Sequence, residues 1–248
     1  GSGKGTLEDL VRMLRESYNG RRVLITGHTG FKGSWLALWL HQLGAKVSGL
    51  ALPPEPGNTL FDSLGLSQKL DHHLGDIRDA VLVDSIVDQT RPEIVFHLAA
   101  QPLVRLSYVQ PVETWNTNVM GTIHVMDAVR KLDSPCTIVA ITTDKVYENN
   151  DAGRAFAETD PLGGHDPYSS SKAGAEIAIQ SWRRSFFGCA SPIALASTRA
   201  GNVIGGGDFA ADRILPDAIR AMSAGENVWV RNPGSTRPWQ HVLEPLFG

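Results

Sequence analysis

The chain of 248 residues has 42% hydrophobic and 20% charged side chains, the balance of a globular protein with room for one large domain or one and a half. Lys and Arg number 23 against 26 Asp and Glu, a formal charge of −3, so there is no cationic surplus to neutralise a nucleic-acid backbone. Cys136 and Cys189 have no Cys or His at ligand spacing, so neither a disulfide framework nor a bound metal is expected, and a reducing cytoplasm is the expected setting. No apolar run approaches the roughly 20 residues of a membrane span, and no signal peptide is expected at the start.

In chain order, Gly1-Ser2-Gly3 reads as a cloning remnant, and Leu7, Leu10, Val11 and Leu14 at helical spacing predict an amphipathic helix over 6–18. From Arg21 short β-branched or Leu-rich runs alternate with longer helical patterns. Strands are predicted over 23–25 and 46–52, with a Gly-rich turn and a helix over 34–43 between them and the loop 53–57 after them. A weak strand over 72–75, a helix over 79–89 and a strong strand over 93–98 follow. A long helix after Pro111, a strand over 137–142, a helix over 168–187 and a strand over 192–198 complete the pattern. Strands separated by crossovers predict an α/β fold built on a doubly wound parallel sheet. Beyond Arg199 the pattern loosens around Gly205-Gly206-Gly207. The paired His72 and His73 read as surface residues, and Trp35 and Trp39 as helix packing.

Three constellations carry candidate chemistry. In Thr26-Gly27-His28-Thr29-Gly30-Phe31-Lys32-Gly33, glycines recur at every third position between a predicted strand and helix. Such a turn brings backbone N–H groups and a helix N-terminus to a pyrophosphate, although a tight turn also needs glycine for conformational reasons alone. No Lys or Arg lies between Lys46 and Lys69 to meet a ribose 2′-phosphate, which favours NAD over NADP, with Lys32 the one cation that could reach it. Asp76-Ile77, after the third strand, could hold an adenine; an ordinary helix-capping Asp explains Asp76 nearly as well. Second, Tyr168 and Lys172 stand four apart at a helix start, so the ammonium is expected beside the phenol, favouring phenolate and a base at neutral pH. Third, Thr143-Asp144-Lys145 follow the fifth strand, where packing gives little reason for polar side chains and a loop start is the plainer alternative.

Together with His97-Leu98-Ala99-Ala100-Gln101-Pro102-Leu103-Val104-Arg105, these residues resemble the extended short-chain dehydrogenase/reductase superfamily, and within it the CDP-glucose 4,6-dehydratases, over residues 21–248. The resemblance implies an NAD(P)-binding Rossmann fold. Its expected divisions are a remnant and lead-in helix over 1–20, an NAD-binding domain over 21–200, and the start of a nucleotide-sugar-binding part over 201–248, incomplete beside members that run on past this point.

The implied reaction is a hydro-lyase reaction in which CDP-D-glucose becomes CDP-4-dehydro-6-deoxy-D-glucose, an early step towards deoxysugars of lipopolysaccharide O-antigens. Bound NAD is reduced and regenerated within each turnover. In the implied roles Tyr168 is the base at the 4-hydroxyl, Thr143 bonds the same oxygen and Lys172 holds phenolate and ribose. Asp144 is the acid at the 6-hydroxyl and Lys145 the base at C5, a lysine that must act as the neutral amine. Gly27, Thr29, Gly30, Phe31, Lys32, Gly33, Asp76, Ile77, Leu98, Ala99, Ala100 and Asn118 would hold the cofactor with Tyr168 and Lys172. Arg105, Ser107, Asn202, Arg213 and Arg237 would meet the nucleotide sugar, and two long helices would pair in a homodimer. Another dehydratase or a 4-epimerase of the same superfamily, acting on a GDP- or dTDP-sugar, and a non-catalytic NAD-binding sensor are the alternatives.

Overall fold

A computed structural model describes residues 7–57, 59–150 and 153–248; the expected remnant at 1–3 lies outside the described residues. Six strands form one parallel sheet in the order β3-β2-β1-β4-β5-β6: β1 Arg22–Thr26, β2 Lys46–Ala51, β3 Asp71–Leu74, β4 Ile94–His97, β5 Cys136–Ile141 and β6 Ile193–Thr198. This is the doubly wound order, whose ligand crevice opens at the strand carboxyl ends where the winding reverses, between β1 and β4. The central strands are mostly apolar because both faces are covered, whereas β3 at the sheet edge reads Asp-His-His-Leu and is partly exposed. Val23 and Ile25 point to one layer with Leu36, Leu40, Val47 and Phe61, while Leu24 points to the other with Leu50, Val83, Val125, Ile138 and Ile179. Each such side chain contributes about 1.5–3 kcal/mol by leaving water.

The helices are α1 Leu7–Tyr18, α2 Phe31–Gln42, α3 Leu60–Ser63, α4 Ala80–Thr90, α5 Val104–Val109, α6 Pro111–Trp115, α7 Gly121–Arg130, α8 Pro167–Ser185, α9 Ile214–Ser223 and α10 Leu243–Phe247. Asp79 caps α4 by accepting from the Val81 and Leu82 amides, and Asp166 caps α8 by accepting from the Ser169 amide at 2.9 Å, with Pro167 opening the helix. No helix among the described residues is long and apolar enough to cross a membrane.

The six strands and their crossovers match the sequence reading, with three differences. The helix predicted from Ser34 begins at Phe31, because Gly30 is the extended residue that precedes it and Gly33 is inside the first turn. The long helix after Pro111 is continuous through α7 but carries a π-helical turn, Asn116–Met120, between α6 and α7. A second, two-stranded parallel sheet joins β7 Asn202–Ile204 to β8 Trp239–His241, and the Trp35 indole donates to the Gly206 carbonyl at 2.9 Å, tying this region to α2. The sequence signal for β7 and β8 was three residues each, too short for periodicity to register.

Candidate active site

The turn after β1 uses its three glycines for three purposes. Gly27 has φ +81°, and a Cβ there would stand 2.7 Å from the Ala99 amide; a Cβ on Gly33 would stand 2.1 Å from the Gly27 carbonyl oxygen. Both are closed by the fold itself, the first by the end of β4 and the second by the seat of α2 on the turn. Gly30 differs: a Cβ there would meet only the Gly27 oxygen, at 3.4 Å, so its open face looks outward where a ligand would approach. Gly33→Ala is therefore expected to destabilise the fold by about 1–3 kcal/mol through overpacking, whereas Gly30→Ala keeps the unfolding midpoint and weakens dinucleotide binding; thermal unfolding and a binding titration separate the two. The Thr29 hydroxyl donates to the Leu52 carbonyl at 3.0 Å and fixes the turn to the end of β2.

On α8, Tyr168, Lys172 and Glu176 recur every four residues and share one buried face. The Tyr168 phenol hydrogen-bonds Thr143, yet burial outweighs that bond and pushes its pKa up to about 12, with the Asp144 charge adding to the rise. The expected acidification by Lys172 is not what the ligand-free site does. The Lys172 Nζ instead donates to the Ile141 carbonyl at 3.1 Å, and burial followed by the Lys32 charge lowers it to about 8.

Thr143-Asp144-Lys145 form a short 3₁₀ turn beyond β5 in which the Thr143 side chain accepts from the Lys145 amide. The Lys145 ammonium pairs with Asp144 Oδ1 at 3.3 Å and reaches Asn202 Oδ1 at 3.5 Å, and both side chains stand at one end of an open crevice of about 1980 Å³ that runs on past Glu158 and Arg183 beside α8 and β6. Lys32 also belongs to this end of the molecule. Burial lowers it to about 8, and its charged neighbours are Arg213, Lys145, Asp144 and Asp208, so it faces the reactive cluster and not the end of β2 where a ribose 2′-phosphate would sit.

The remaining predicted residues divide. Leu98, Ala99 and Ala100 form a half-buried groove beside the turn. Asn118, fully buried on the π-turn, accepts from the Gln101 amide at 2.8 Å and donates to Ser171 Oγ at 2.8 Å, so it supports the residue before Lys172. Arg213 is held by Asp208 at 2.9 Å near Tyr168, and exposed Arg237 lines the crevice. Arg105 is exposed and paired with Asp212 at 2.7 Å. Ser107 is a correction: it has no exposed surface, and its hydroxyl donates to the Val104 carbonyl and accepts from the Tyr168 amide at 3.1 Å, so it seats the start of α8 and does not face a ligand. The carboxylate of Asp76 is engaged by Arg78 at 2.6 Å, which holds its pKa below the usual range, while Asp79 does the capping that the sequence offered to Asp76. Ile77 is core, packed on Gly121. His72 is not a plain surface residue either: its ring meets His28 at 2.6 Å and lies against Phe61.

Residues 24–245 match a family model described as GDP-mannose 4,6 dehydratase. The chain belongs to this family of nucleotide-sugar dehydratases. It is 51% identical over 93% of its length to the CDP-glucose 4,6-dehydratase of Salmonella typhimurium strain LT2 and 29% identical over 89% to the dTDP-glucose 4,6-dehydratase of Xanthomonas campestris strain ATCC 33913. It spans 66% and 64% of those relatives, just under two thirds. Among solved structures it is similar to DesIV, a dTDP-glucose 4,6-dehydratase from Streptomyces venezuelae with NAD bound, at a TM-score of 0.79 and 25% identity over 91% of this chain and 70% of that one. MoeE5 in complex with UDP-glucose and NAD matches at a TM-score of 0.74 and 29% identity, over 90% and 69%.

Beneath this family fold lies a buried ion pair that the sequence reading missed. Glu176 accepts from Arg199 Nε at 2.9 Å and Nη2 at 3.0 Å, from Thr142 Oγ1 at 2.5 Å and from Ser197 Oγ at 3.0 Å. Arg199 goes on to donate to the Tyr147 hydroxyl at 2.9 Å. The signal was present: Glu176 stands four residues after Lys172, on the face already assigned to chemistry. What was missing was its partner on another element.

Proposed function

We propose that this protein is an NAD-dependent hydro-lyase that converts CDP-D-glucose to CDP-4-dehydro-6-deoxy-D-glucose. The observation that carries the reading is the convergence of Tyr168, Thr143, Asp144 and Lys145 at the carboxyl end of β5, in a chain half identical to a CDP-glucose 4,6-dehydratase. The open face of Gly30 and the small side chains of Ala99 and Ala100 suit a dinucleotide lying across the turn. The absence of Lys and Arg between Lys46 and Lys69 favours NAD.

When bound, NAD supplies the hydride acceptor at sugar C4 and the donor at C6, so the reaction has no net redox change. Tyr168 takes the proton of the 4-hydroxyl, and Thr143 bonds the same oxygen. The ketone so formed makes the C5 hydrogen acidic. Asp144 and Lys145, 3.3 Å apart, are an ion pair whose neutral tautomer is an acid and an amine base. With Lys145 as the neutral amine and Asp144 as the acid, Lys145 removes the C5 proton while Asp144 protonates the departing 6-hydroxyl. Each positioned transfer is worth about 10²–10⁴ in rate. Asn202, Arg213 and Arg237 are the proposed contacts to the nucleotide diphosphate, Arg105 a further one once released from Asp212, and residues 201–248 the beginning of the sugar-nucleotide part.

Incubation of the full-length protein with CDP-glucose, dTDP-glucose and GDP-mannose separately, read by mass spectrometry, tests the substrate. Loss of one water from the CDP-sugar alone is expected; loss from another sugar alone, or from none, contradicts the reading.

The proposed assembly is a homodimer in the cytoplasm. It is supported by the exposed Val112, Trp115 and Met120 along α6 and the π-turn and by exposed Ile177 on neighbouring α8, an apolar stripe that pairing would bury. Ile177→Asp with Trp115→Asp is expected to give a monomer in sedimentation equilibrium, and an unchanged mass would refute this interface.

A further inference from the structure

A single chain of hydrogen bonds runs beneath the crevice from the glycine turn to Asn118, and His97 is its middle link. The Ala99 amide donates to Thr26 Oγ1 at 3.2 Å, and Thr26 Oγ1 lies 2.7 Å from His97 Nδ1. On the other side His97 Nε2 lies 2.9 Å from Thr122 Oγ1, whose hydroxyl reaches the Asn118 carbonyl at 2.7 Å. Thr26, His97 and Asn118 are fully or almost fully buried, as is Thr122.

Counting donors assigns the tautomer. The Thr122 hydroxyl donates to the Asn118 carbonyl, which leaves Thr122 Oγ1 to accept from His97 Nε2–H. His97 Nδ1 then accepts from the Thr26 hydroxyl, whose oxygen accepts from Ala99. Every group is used once and all bonds point the same way on each side of the ring. The opposite tautomer leaves the Thr26 hydrogen without an acceptor and takes the Thr122 hydrogen away from Asn118. Burial, and then the Lys172 charge, lower His97 to about 3, in keeping with a neutral ring.

The two ends of the chain are the two halves of the site. Thr26 and Ala99 flank the turn and groove proposed for the dinucleotide. Asn118 sits on the π-turn and donates to Ser171, whose own hydroxyl donates to the Tyr168 carbonyl. Thr122 donates to the carbonyl of Asn118 within this π-turn.

We infer that His97 is a positioning residue that couples the two halves: its Nδ1 holds the cofactor turn through Thr26, and its Nε2–H holds the Asn118 turn, and with it Tyr168 and Lys172, through Thr122. The inference rests on the dinucleotide reading above. It touches no reacting atom.

The two nitrogens can be removed separately. An Asn at position 97 can offer an acceptor at the Nδ1 position, and a Gln a donor at the Nε2 position. His97→Asn is expected to keep NADH affinity within twofold and to lower kcat roughly tenfold. His97→Gln is expected to weaken NADH binding roughly tenfold, the value of a buried hydrogen bond, with kcat at saturating cofactor within threefold. NADH fluorescence titration, steady-state kinetics with CDP-glucose and urea unfolding are run on all forms, with His97→Leu losing both properties. If His97 only fills the core, affinity and turnover fall together in Asn, Gln and Leu variants in proportion to lost stability, and that result overturns the inference, as does no change in any of them. The affinity comparison needs no sugar nucleotide, so equal NADH affinity in the Asn and Gln variants overturns the inference even where the protein dehydrates none of the sugars tested. A protein that binds no NADH contradicts both readings.

Discussion

Glu176→Ala is expected to cost about 3–5 kcal/mol of folding stability in urea unfolding, the largest loss of any single substitution considered. The carboxylate is 1% exposed and takes bonds from Arg199, Thr142 and Ser197. Its removal leaves the Arg199 guanidinium, itself only 13% exposed, without a counter-charge. Reversal of the damage by an apolar partner substitution at position 199 would identify the stranded charge as its source. The pH dependence has a definite sign. The bonds to Glu176 depress its pKa below that of the unfolded chain, with Arg199 the largest favourable contribution against the burial penalty. Its contribution to stability is therefore fully present above the ordinary glutamate range, near pH 4.3, and is lost as pH falls through the lower folded value. The folding stability of the native protein should fall across that acid window more steeply than that of Glu176→Gln. Equal slopes would show that the pair is not the source.

Tyr168→Phe is expected to lower kcat by about 10²–10⁴ with little change in the unfolding midpoint, since only the hydroxyl and its bond to Thr143 are lost. The companion expectation concerns ionisation. In the ligand-free protein the phenol sits near 12, well above what a base at neutral pH requires, because desolvation exceeds the help from Thr143. Lys172 gives no relief while its ammonium is turned to the Ile141 carbonyl. Ultraviolet difference titration should find Tyr168 un-ionised through pH 10 in the free protein and ionising at lower pH once the oxidised dinucleotide is bound. Ionisation below pH 10 without cofactor would contradict the burial argument.

Much of this was legible before any coordinates, for identifiable reasons. Buried parallel strands must be apolar on both faces, so runs such as Val23-Leu24-Ile25 announce themselves and the crossovers between them dictate the sheet. The Tyr168 and Lys172 spacing is a local property of a helix and carried through to a shared buried face. Where reading failed, the cause was a contact between distant elements. Ser107 was expected at the ligand and is instead a support for Tyr168, a relation between α5 and α8 that no local pattern encodes. Lys32 was considered for the ribose end of the cofactor and has Arg213, Lys145, Asp144 and Asp208 as its charged neighbours, a set drawn from distant parts of the chain. The effect of Lys172 on Tyr168 was argued from spacing alone, whereas the sign of the shift was decided by burial, a quantity set by the whole fold.

The measurement that bears most directly on the central claim is isotope tracing, with CDP-glucose carrying deuterium at C4 in ordinary water and with unlabelled CDP-glucose in heavy water, followed by mass spectrometry and NMR of each product. If Tyr168, Asp144 and Lys145 perform one closed sequence of oxidation, elimination and reduction, the deuterium reappears at C6 of the same sugar and a solvent hydrogen stands at C5. Deuterium released to solvent, retained at C4, or a C5 hydrogen that never exchanges contradicts that account.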